Sequence, residues 1–196
     1  MSNKIVILIL GIPGAGKTTL ANNLSNALAG IPHVDTDIIK AVYETTNPQI
    51  FSQTSHSAWA LFGECTYENI IKGYTVLSRE IFKKCIPLIQ RLLKTYNTII
   101  IEGLGIDIDK IEDLQIPTIV FYLTNQNKEE GYKNKMMYRN SGVKGWERDQ
   151  SILQTIDTYM KQRLSKVPNV SFIEVSDGYD VKQLVKDIEA VRGEAL

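Results

Sequence analysis

Eight consecutive residues near the start of the chain constrain its fold more than any other stretch. They run from Gly11 to Thr18, spell Gly-Ile-Pro-Gly-Ala-Gly-Lys-Thr, and match the phosphate-binding pattern G-x-x-x-x-G-K-[ST] at every fixed position. Glycines let such a loop wrap closely around a polyphosphate, and the helix that follows presents backbone N–H groups to the anion. The motif therefore predicts that this chain binds a nucleoside triphosphate.

The sequence on both sides of the loop has the periodicity that this motif requires. Residues 4–10 predict a strand buried on both faces, because they are β-branched and, after Lys4, uninterrupted by polar residues. Residues 18–29 predict a helix that ends at Gly30. Its apolar positions at helical spacing are Leu20, Ala21, Leu24 and Leu28. The alternative is a glycine-rich turn in an unrelated fold, and the strand–helix frame argues against it.

The loop supplies most of the predicted nucleotide-binding residues. They are Gly11, Pro13, Gly14, Ala15, Gly16, Lys17, Thr18 and Thr19, joined by Arg148 from a later segment. The Lys17 ammonium group is expected to reach the β- and γ-phosphates and to act in catalysis, and the Thr18 hydroxyl is expected to ligate Mg²⁺. The predicted cofactors are ATP and Mg²⁺, and the sequence alone does not distinguish ATP from GTP.

Strands alternate with helices along the rest of the chain. Further strands are predicted over residues 31–34, 98–102, 116–123 and 170–175, and further helices over residues 38–44, 57–72, 151–167 and 180–192. Gly73 is expected to end the helix over residues 57–72, and a longer helix is expected after it. Pro87 is expected to kink or split this longer helix near residues 83–87.

This alternation predicts an α/β protein with a parallel sheet covered on both faces. The loop motif in this frame resembles that of P-loop NTPases, and the resemblance implies a P-loop NTPase three-layer sandwich whose five-stranded parallel sheet has the order 2-3-1-4-5. The organisation is predicted to be nucleoside-monophosphate-kinase-like, in a single domain over residues 1–196. A helical insertion over about residues 45–96 is expected to form the acceptor site, and a lid over about residues 125–148 to close it.

The balance of charges narrows the range of partners. The chain has 22 basic and 22 acidic residues, so its net charge gives a polyanionic partner no general attraction. A nucleic-acid partner is therefore possible but not favoured, and a small-molecule acceptor is expected.

The apolar run over residues 5–10 is too short to span a membrane, so we expect a cytoplasmic protein, either a monomer or a homodimer. Cys65 and Cys85 are expected to be buried thiols without a disulfide.

Carboxylates follow two of the predicted strands. Asp35 and Asp37 flank Thr36 at one strand end, and Glu102 ends the isoleucine-rich strand. Carboxyl ends of parallel strands share one edge of a sheet, so Asp35 and Glu102 are predicted to help Thr18 hold Mg²⁺. Asp37 is predicted to orient or deprotonate the acceptor hydroxyl. The alternatives are an Asx turn in which Asp37 caps the next helix, and a solvated glutamate at position 102.

Cations in two further regions are candidates for the substrate site. Residues 125–148 contain six basic and three acidic side chains among three glycines, which is typical of a mobile lid or of a solvated helix face. Arg139 is the predicted catalytic arginine there, because a guanidinium group fits phosphate oxygens. The predicted substrate-binding residues are Asp37, Lys40, His56, Arg79 and Gly103. For the segment around His56, helix capping by Ser55 or Ser57 is the plainer interpretation.

Four segments together resemble the archaeal 2-phosphoglycerate kinase group within the small P-loop kinases, and the resemblance covers most of the chain. They are residues 11–19, Asp35-Thr36-Asp37-Ile38-Ile39-Lys40, Thr54-Ser55-His56-Ser57-Ala58-Trp59 and Ile100-Ile101-Glu102-Gly103. Lys40 replaces an arginine of that group. Leu104 and Gly105 stand where the group usually has a valine and a histidine.

The resemblance implies transfer of the ATP γ-phosphate to 2-phosphoglycerate in the presence of Mg²⁺. Two other hypotheses remain open from the sequence. The same core supports a kinase for a nucleoside, a nucleotide or a polynucleotide end, which salt-dependent binding of RNA or DNA would indicate. It also supports a slow ATPase that acts as a switch or assembly factor, for which ATP turnover without an acceptor would be evidence.

Overall fold

A parallel sheet forms the centre of the structure, which is a computed structural model and describes residues 4–125 and 146–194. Its strands are β1 (Ile5–Leu10), β2 (His33–Asp35), β3 (Thr98–Glu102), β4 (Thr118–Thr124) and β5 (Val170–Glu174). They lie in the order β2-β3-β1-β4-β5, and every neighbouring pair is parallel. The predicted strand number and order, 2-3-1-4-5, are therefore confirmed.

Helices connect the strands in the described part of the chain. They are α1 (Lys17–Ala27), α2 (Thr36–Tyr43), α3 (Pro48–Phe51), α4 (Tyr67–Leu92), α5 (Trp146–Leu164) and α6 (Val181–Glu194). Short 3₁₀ helices span Ala58–Phe62, Ile108–Lys110, Glu112–Leu114 and Val175–Asp177. None of the described helices is long and apolar enough to cross a membrane.

The central strand β1 is buried on both faces and divides the core into two layers. All six of its residues are fully buried, and alternate residues point to opposite faces of the sheet. Ile5, Ile7 and Ile9 pack with apolar side chains of α1 and α6, whereas their neighbours pack with those of α4 and α5. Burial of apolar surface, worth about 25 cal/mol per Å², stabilises both layers. The three-layer sandwich predicted from the sequence is therefore present.

Helix α4 differs from the prediction, because it does not begin after Gly73 and is not split at Pro87. It begins after Thr66, whose Oγ1 accepts a hydrogen bond from Asn69 N at 3.3 Å, and continues without a break past Gly73 and Pro87. The helix predicted over residues 57–72 is correct only for its last six residues, which are the first residues of α4, whereas Ala58–Phe62 forms a 3₁₀ helix. One apolar face of α4 is buried against the sheet, and this packing outweighs the local preference of one glycine and one proline.

Gly73 has a packing role instead of ending a helix. A Cβ atom at this position would lie 2.4 Å from Ala58 C and 2.5 Å from Trp59 N. The absence of a side chain therefore lets the backbone of α4 touch the 3₁₀ helix Ala58–Phe62. This contact fixes the segment that leads into α4, including His56.

The two cysteines have different environments. Cys85 is fully buried on α4, where burial raises the pKa of its thiol to about 12. Cys65 is exposed in the short connection before α4, so the expectation that both thiols are buried was wrong for this residue. The two cysteines are not joined in a disulfide, as expected.

We expect Gly73→Ala to lower the free energy of unfolding by roughly 2 kcal/mol, because overpacking against a backbone outweighs the gain of about 1 kcal/mol in helix propensity. Denaturant unfolding monitored by circular dichroism measures the change. Gly193→Ala is the matched control, since a Cβ there meets no atom within 4 Å and the variant should keep its stability or gain from helix propensity. Equal stability of the two variants would contradict the packing role of Gly73.

Candidate active site

The carboxyl ends of β1, β2 and β3 open into one cavity of about 550 Å³. The phosphate-binding loop, the start of α2, the segment 53–56, one face of α4 and the segment after β3 all line it. The clusters predicted to meet at this edge of the sheet therefore do meet. Of the predicted site residues, those that line the cavity are Pro13, Gly14, Gly16, Lys17, Thr18, Thr19, Asp35, Asp37, Lys40, His56, Glu102 and Gly103.

The other predicted site residues lie elsewhere. Gly11 and Ala15 are buried in the loop without lining the cavity, and Arg148 is an exposed residue of α5. Arg79 Nε donates a hydrogen bond to Oδ2 of buried Asp107 at 3.1 Å, which holds this arginine beside the cavity and not on its wall. Arg139 and most of the predicted lid, residues 126–145, lie outside the described residues.

The loop has the backbone shape that an anion site requires. Gly16 has a φ of 90° and forms the N-cap of α1, and without a side chain it cannot cap the first N–H groups of that helix. Gly11 has a φ of 144°, and a Cβ there would lie 2.6 Å from Leu123 O. The Lys17 ammonium group donates to Ile12 O at 3.2 Å and so lies across the loop. Uncapped amides and this cation fit the phosphates of a nucleotide.

The segment Asp35-Thr36-Asp37 joins β2 to α2. Asp35 Oδ1 accepts a hydrogen bond from Asp37 N at 2.7 Å, so Asp35 caps α2. The alternative in which Asp37 is the cap is therefore wrong, because the helix begins two residues earlier than predicted. Asp37 lies exposed in the first helical turn, where the positive end of the helix dipole favours a carboxylate. Both carboxylates line the cavity.

Thr36 holds the end of β2 against the segment that follows β3. Its side chain is fully buried, and its Oγ1 accepts a hydrogen bond from Gly105 N at 3.2 Å. A Cβ at Gly103 would lie 1.9 Å from Thr36 Oγ1, and one at Gly105 would lie 2.9 Å from Thr36 Cβ. Gly103 was predicted to bind the substrate; it lines the cavity, and Thr36 occupies the space beside both glycines.

Glu102 is buried, with an exposure of 1%, and lies beside Asp35 in the register of the two strands. Its Oε1 lies 3.2 Å from Nε2 of His33, which holds the carboxylate in place. A solvated strand-end glutamate, the alternative kept open from the sequence, is therefore wrong. His33 was not among the predicted site residues. The signal for its role was its position two residues before Asp35, on the same face of β2.

The donors that line this end of the cavity fit Mg²⁺. Thr18, Asp35 and Glu102 offer only oxygen atoms, which are the ligands that Mg²⁺ prefers. No three acidic, histidine or cysteine side chains of the described residues form a ready-made metal cage. Mg²⁺ is usually bound by one or two carboxylates together with phosphate oxygens and water, so this donor set is sufficient.

One face of α4 forms a wall of the cavity, within the insertion 45–96 that was predicted to form the acceptor site, but none of its lining residues was among the predicted site residues. Its lining residues are Tyr74, Leu77, Ser78 and Ile81. They follow the i, i+3, i+4, i+7 spacing of a buried helix face, which normally indicates core packing. Two hydroxyl groups within this apolar stripe were the available signal.

His56 connects the segment 53–56 to α5. Its Nε2 lies 3.8 Å from Oδ2 of Asp149, which is buried at the start of α5. Burial lowers the pKa of His56 below 6.5, and nearby Arg148 and Lys40 act in the same direction. The Asp149 carboxylate opposes them. At neutral pH the imidazole is therefore uncharged and contributes hydrogen bonds, not a positive charge, to the cavity.

A curated protein, the mevalonate-3-phosphate 5-kinase of Thermoplasma acidophilum, is 27% identical to this chain over 114 residues. The match covers 57% of this chain and 56% of that protein, so the chain spans about half the length of the curated relative that it matches. No protein-family model matches the chain.

Solved structures share the fold over almost the whole chain. The protein TT1252 of Thermus thermophilus has a TM-score of 0.54 at 17% identity and covers 95% of this chain and 97% of its own. Shikimate kinase of Bacteroides thetaiotaomicron has a TM-score of 0.50 at 17% identity and covers 97% and 98%. At such identities the likeness shows the fold alone. The chain has the α/β fold of P-loop kinases, as predicted.

We expect the His56 imidazole to titrate with a midpoint below 6.5 in an NMR pH series, because burial outweighs the attraction of Asp149. The unfolded chain binds this proton at higher pH than the folded chain. Folding stability therefore falls as the pH decreases through 6.5, and His56→Gln should remove part of that fall. The variant also assigns the resonance against that of His33. A midpoint above 6.5 would mean that Asp149 dominates.

Proposed function

We propose that this chain is an ATP-dependent kinase that transfers a phosphoryl group to a hydroxyl group of a small molecule. The observation that carries the proposal is the placement of the phosphate-binding loop and Asp37 on one cavity of about 550 Å³. The sequence similarity to a small-molecule kinase supports it. The fold, which a shikimate kinase shares, is compatible with it.

In this proposal the end of the cavity at the phosphate-binding loop binds the nucleotide and Mg²⁺. The loop amides and Lys17 bind the β- and γ-phosphates and stabilise the charge that develops during transfer. Thr18, Asp35 and Glu102 hold Mg²⁺, which neutralises phosphate charge when it is bound. His33 orients Glu102 through the 3.2 Å contact and acts only as a positioning residue.

Asp37 is the proposed general base. The acceptor oxygen forms a bond to the γ-phosphorus as the bond from that phosphorus to the bridging oxygen of ADP breaks. The proton of the acceptor hydroxyl passes to the Asp37 carboxylate. Asp37 suits this task because it lines the cavity at the start of α2 and is close in sequence to a proposed metal ligand, Asp35.

The proposed acceptor is a small molecule that already carries one phosphate group. Mevalonate 3-phosphate, the substrate named for the curated relative, and 2-phosphoglycerate, implied by the resemblance of four segments, share this property. Lys40 lines the acceptor side and supplies a cation for such a phosphate, while neutral His56 supplies none. Gln53, Thr54 and Ser55 offer uncharged hydrogen-bonding groups on the same side.

A labelling experiment tests the proposal. The protein is incubated with Mg²⁺ and γ-labelled ATP in the presence of one acceptor at a time, and products are resolved by mass. The acceptors are mevalonate 3-phosphate, 2-phosphoglycerate, glycerate, nucleosides, nucleoside monophosphates and 5′-hydroxyl RNA. We expect label on a phosphorylated hydroxy acid, and no label with Lys17→Ala.

Each other result contradicts a defined part of the proposal. Label on a nucleoside, a nucleotide or RNA would retain the kinase activity and replace the acceptor class. Label in free phosphate alone would contradict the kinase and favour an ATPase that acts as a switch.

We expect Asp37→Asn to lower kcat by about 10²- to 10⁴-fold, the range for loss of a general base, while the Kd for ATP changes less than twofold. The amide keeps the size of the side chain, and the backbone N–H of residue 37 still donates to Asp35. Steady-state kinetics and calorimetric ATP titration measure the two quantities. Asp113→Asn is the control, because Asp113 pairs with Lys110 on the surface, away from the cavity. Retention of a tenth of kcat would remove Asp37 from the base role.

A further inference from the structure

Tyr74 carries a buried hydroxyl group that nothing in the proposed reaction uses. The side chain lies on α4 with an exposure of 2% and lines the cavity beside Leu77 and Ser78. Its hydroxyl has no hydrogen-bond partner among the residues of 4–125 and 146–194. A buried hydroxyl without a partner costs about 1–3 kcal/mol, so folded proteins rarely keep one without a reason.

The other large buried phenol of the same layer shows the usual arrangement. Tyr122 is fully buried, and its hydroxyl donates to Asp157 Oδ1 at 2.6 Å. Lys161 donates to the second oxygen of that carboxylate at 3.0 Å, so both oxygens of Asp157 accept a hydrogen bond. The aromatic ring of Tyr74 makes an edge-to-face contact with the ring of Tyr159, and the two ring centroids lie 6.2 Å apart. Only its hydroxyl is left without such a partner among the described residues.

The chemistry of the Tyr74 hydroxyl suits donation of a hydrogen bond. Burial, with smaller contributions from Tyr159, Asp107 and Asp109, raises its pKa well above the ordinary value of 10. The phenol therefore keeps its proton at every physiological pH. The neighbouring Ser78 hydroxyl differs, because it already donates to Thr75 O at 3.2 Å within α4. Tyr74 is thus a hydrogen-bond donor on this wall of the cavity that no described residue uses.

We propose that Tyr74 is an acceptor-binding residue whose hydroxyl donates a hydrogen bond to an oxygen atom of the phosphate acceptor. The acceptor presents a hydrocarbon segment next to that oxygen, which packs against Leu77 and Ile81 on the same wall. A short aliphatic hydroxy acid combines both features, whereas a nucleobase does not. This inference rests on the kinase function proposed above and specifies the α4 side of its acceptor site.

Tyr74→Phe removes the hydroxyl and keeps the ring. With mevalonate 3-phosphate or 2-phosphoglycerate as acceptor, we expect the KM for the acceptor to rise about tenfold, the equivalent of one lost hydrogen bond in a buried site. The KM for ATP should stay within twofold. Tyr122→Phe is the matched control, since it removes a hydroxyl from the same layer away from the cavity and should leave both KM values unchanged.

A second measurement reports on the hydroxyl without any activity. Without ligands, Tyr74→Phe should melt at the same temperature as the wild-type protein or higher, because an unsatisfied buried group is removed. Tyr122→Phe should melt at a lower temperature, because it breaks the bond to Asp157. A lower melting temperature for Tyr74→Phe would show a structural hydrogen bond and overturn the inference, as would an unchanged KM for the acceptor.

The two measurements separate failure of the inference from failure of the proposed function. Absence of wild-type transfer to every acceptor would refute the kinase. The melting temperature of Tyr74→Phe would then decide the status of the hydroxyl by itself. An unchanged or higher melting temperature would support an unsatisfied donor that serves a ligand of another kind, and a lower one would refute it.

Discussion

The geometry of the candidate site depends on one buried contact, in which Thr36 fills the space beside Gly103 and Gly105. Strand β2 has three residues, all of them only partly buried, so its ladder to β3 is short. Thr36 compensates for this short ladder. Its Oγ1 accepts a hydrogen bond from Gly105 N, and its side chain lies against Gly103, so the end of β2 is held although its residues are only partly buried. Asp35 and Asp37 flank Thr36, so their positions follow from this contact.

The charges collected at the cavity explain why a divalent cation suits the site. The lining residues among the described parts include the acidic Asp35, Asp37 and Glu102 and the basic Lys17 and Lys40. Two positive and three negative charges leave −1, with His56 neutral because burial lowers its pKa. A polyphosphate placed among these carboxylates would be repelled without a cation between them. Mg²⁺ held by Thr18, Asp35 and Glu102 would provide it.

Sequence reasoning succeeded where a feature is local and backbone-driven. The loop from Gly11 to Thr18 and the existence of the strands follow from spacing and periodicity, which a single sequence displays directly, whereas the strand order was implied by the resemblance to small P-loop kinases. It failed for α4, because a local preference of about 1 kcal/mol at Gly73 yields to packing that joins distant segments. The roles of His33 and Tyr74 were missed for the same reason. The role of His33 depends on its contact with Glu102, and that of Tyr74 on a hydroxyl without a partner among the described residues; only the assembled fold creates either. The predicted lid arginine, Arg139, lies outside the described residues.

The departure at Gly105 from the resembled group has a structural cause that bears on the acceptor. A Cβ at this position would lie 2.5 Å from Ile81 Cγ2 and 2.9 Å from Thr36 Cβ, so a histidine has no room beside these two side chains. Contacts that a histidine would supply after β3 must come from another wall of the cavity. Tyr74 and Ser78 lie on the same helix as Ile81 and offer hydroxyl groups there. In the proposed kinase, glycine at 105 and the hydroxyl groups on α4 would thus be parts of one arrangement, in which the loop binds the nucleotide and α4 binds the acceptor.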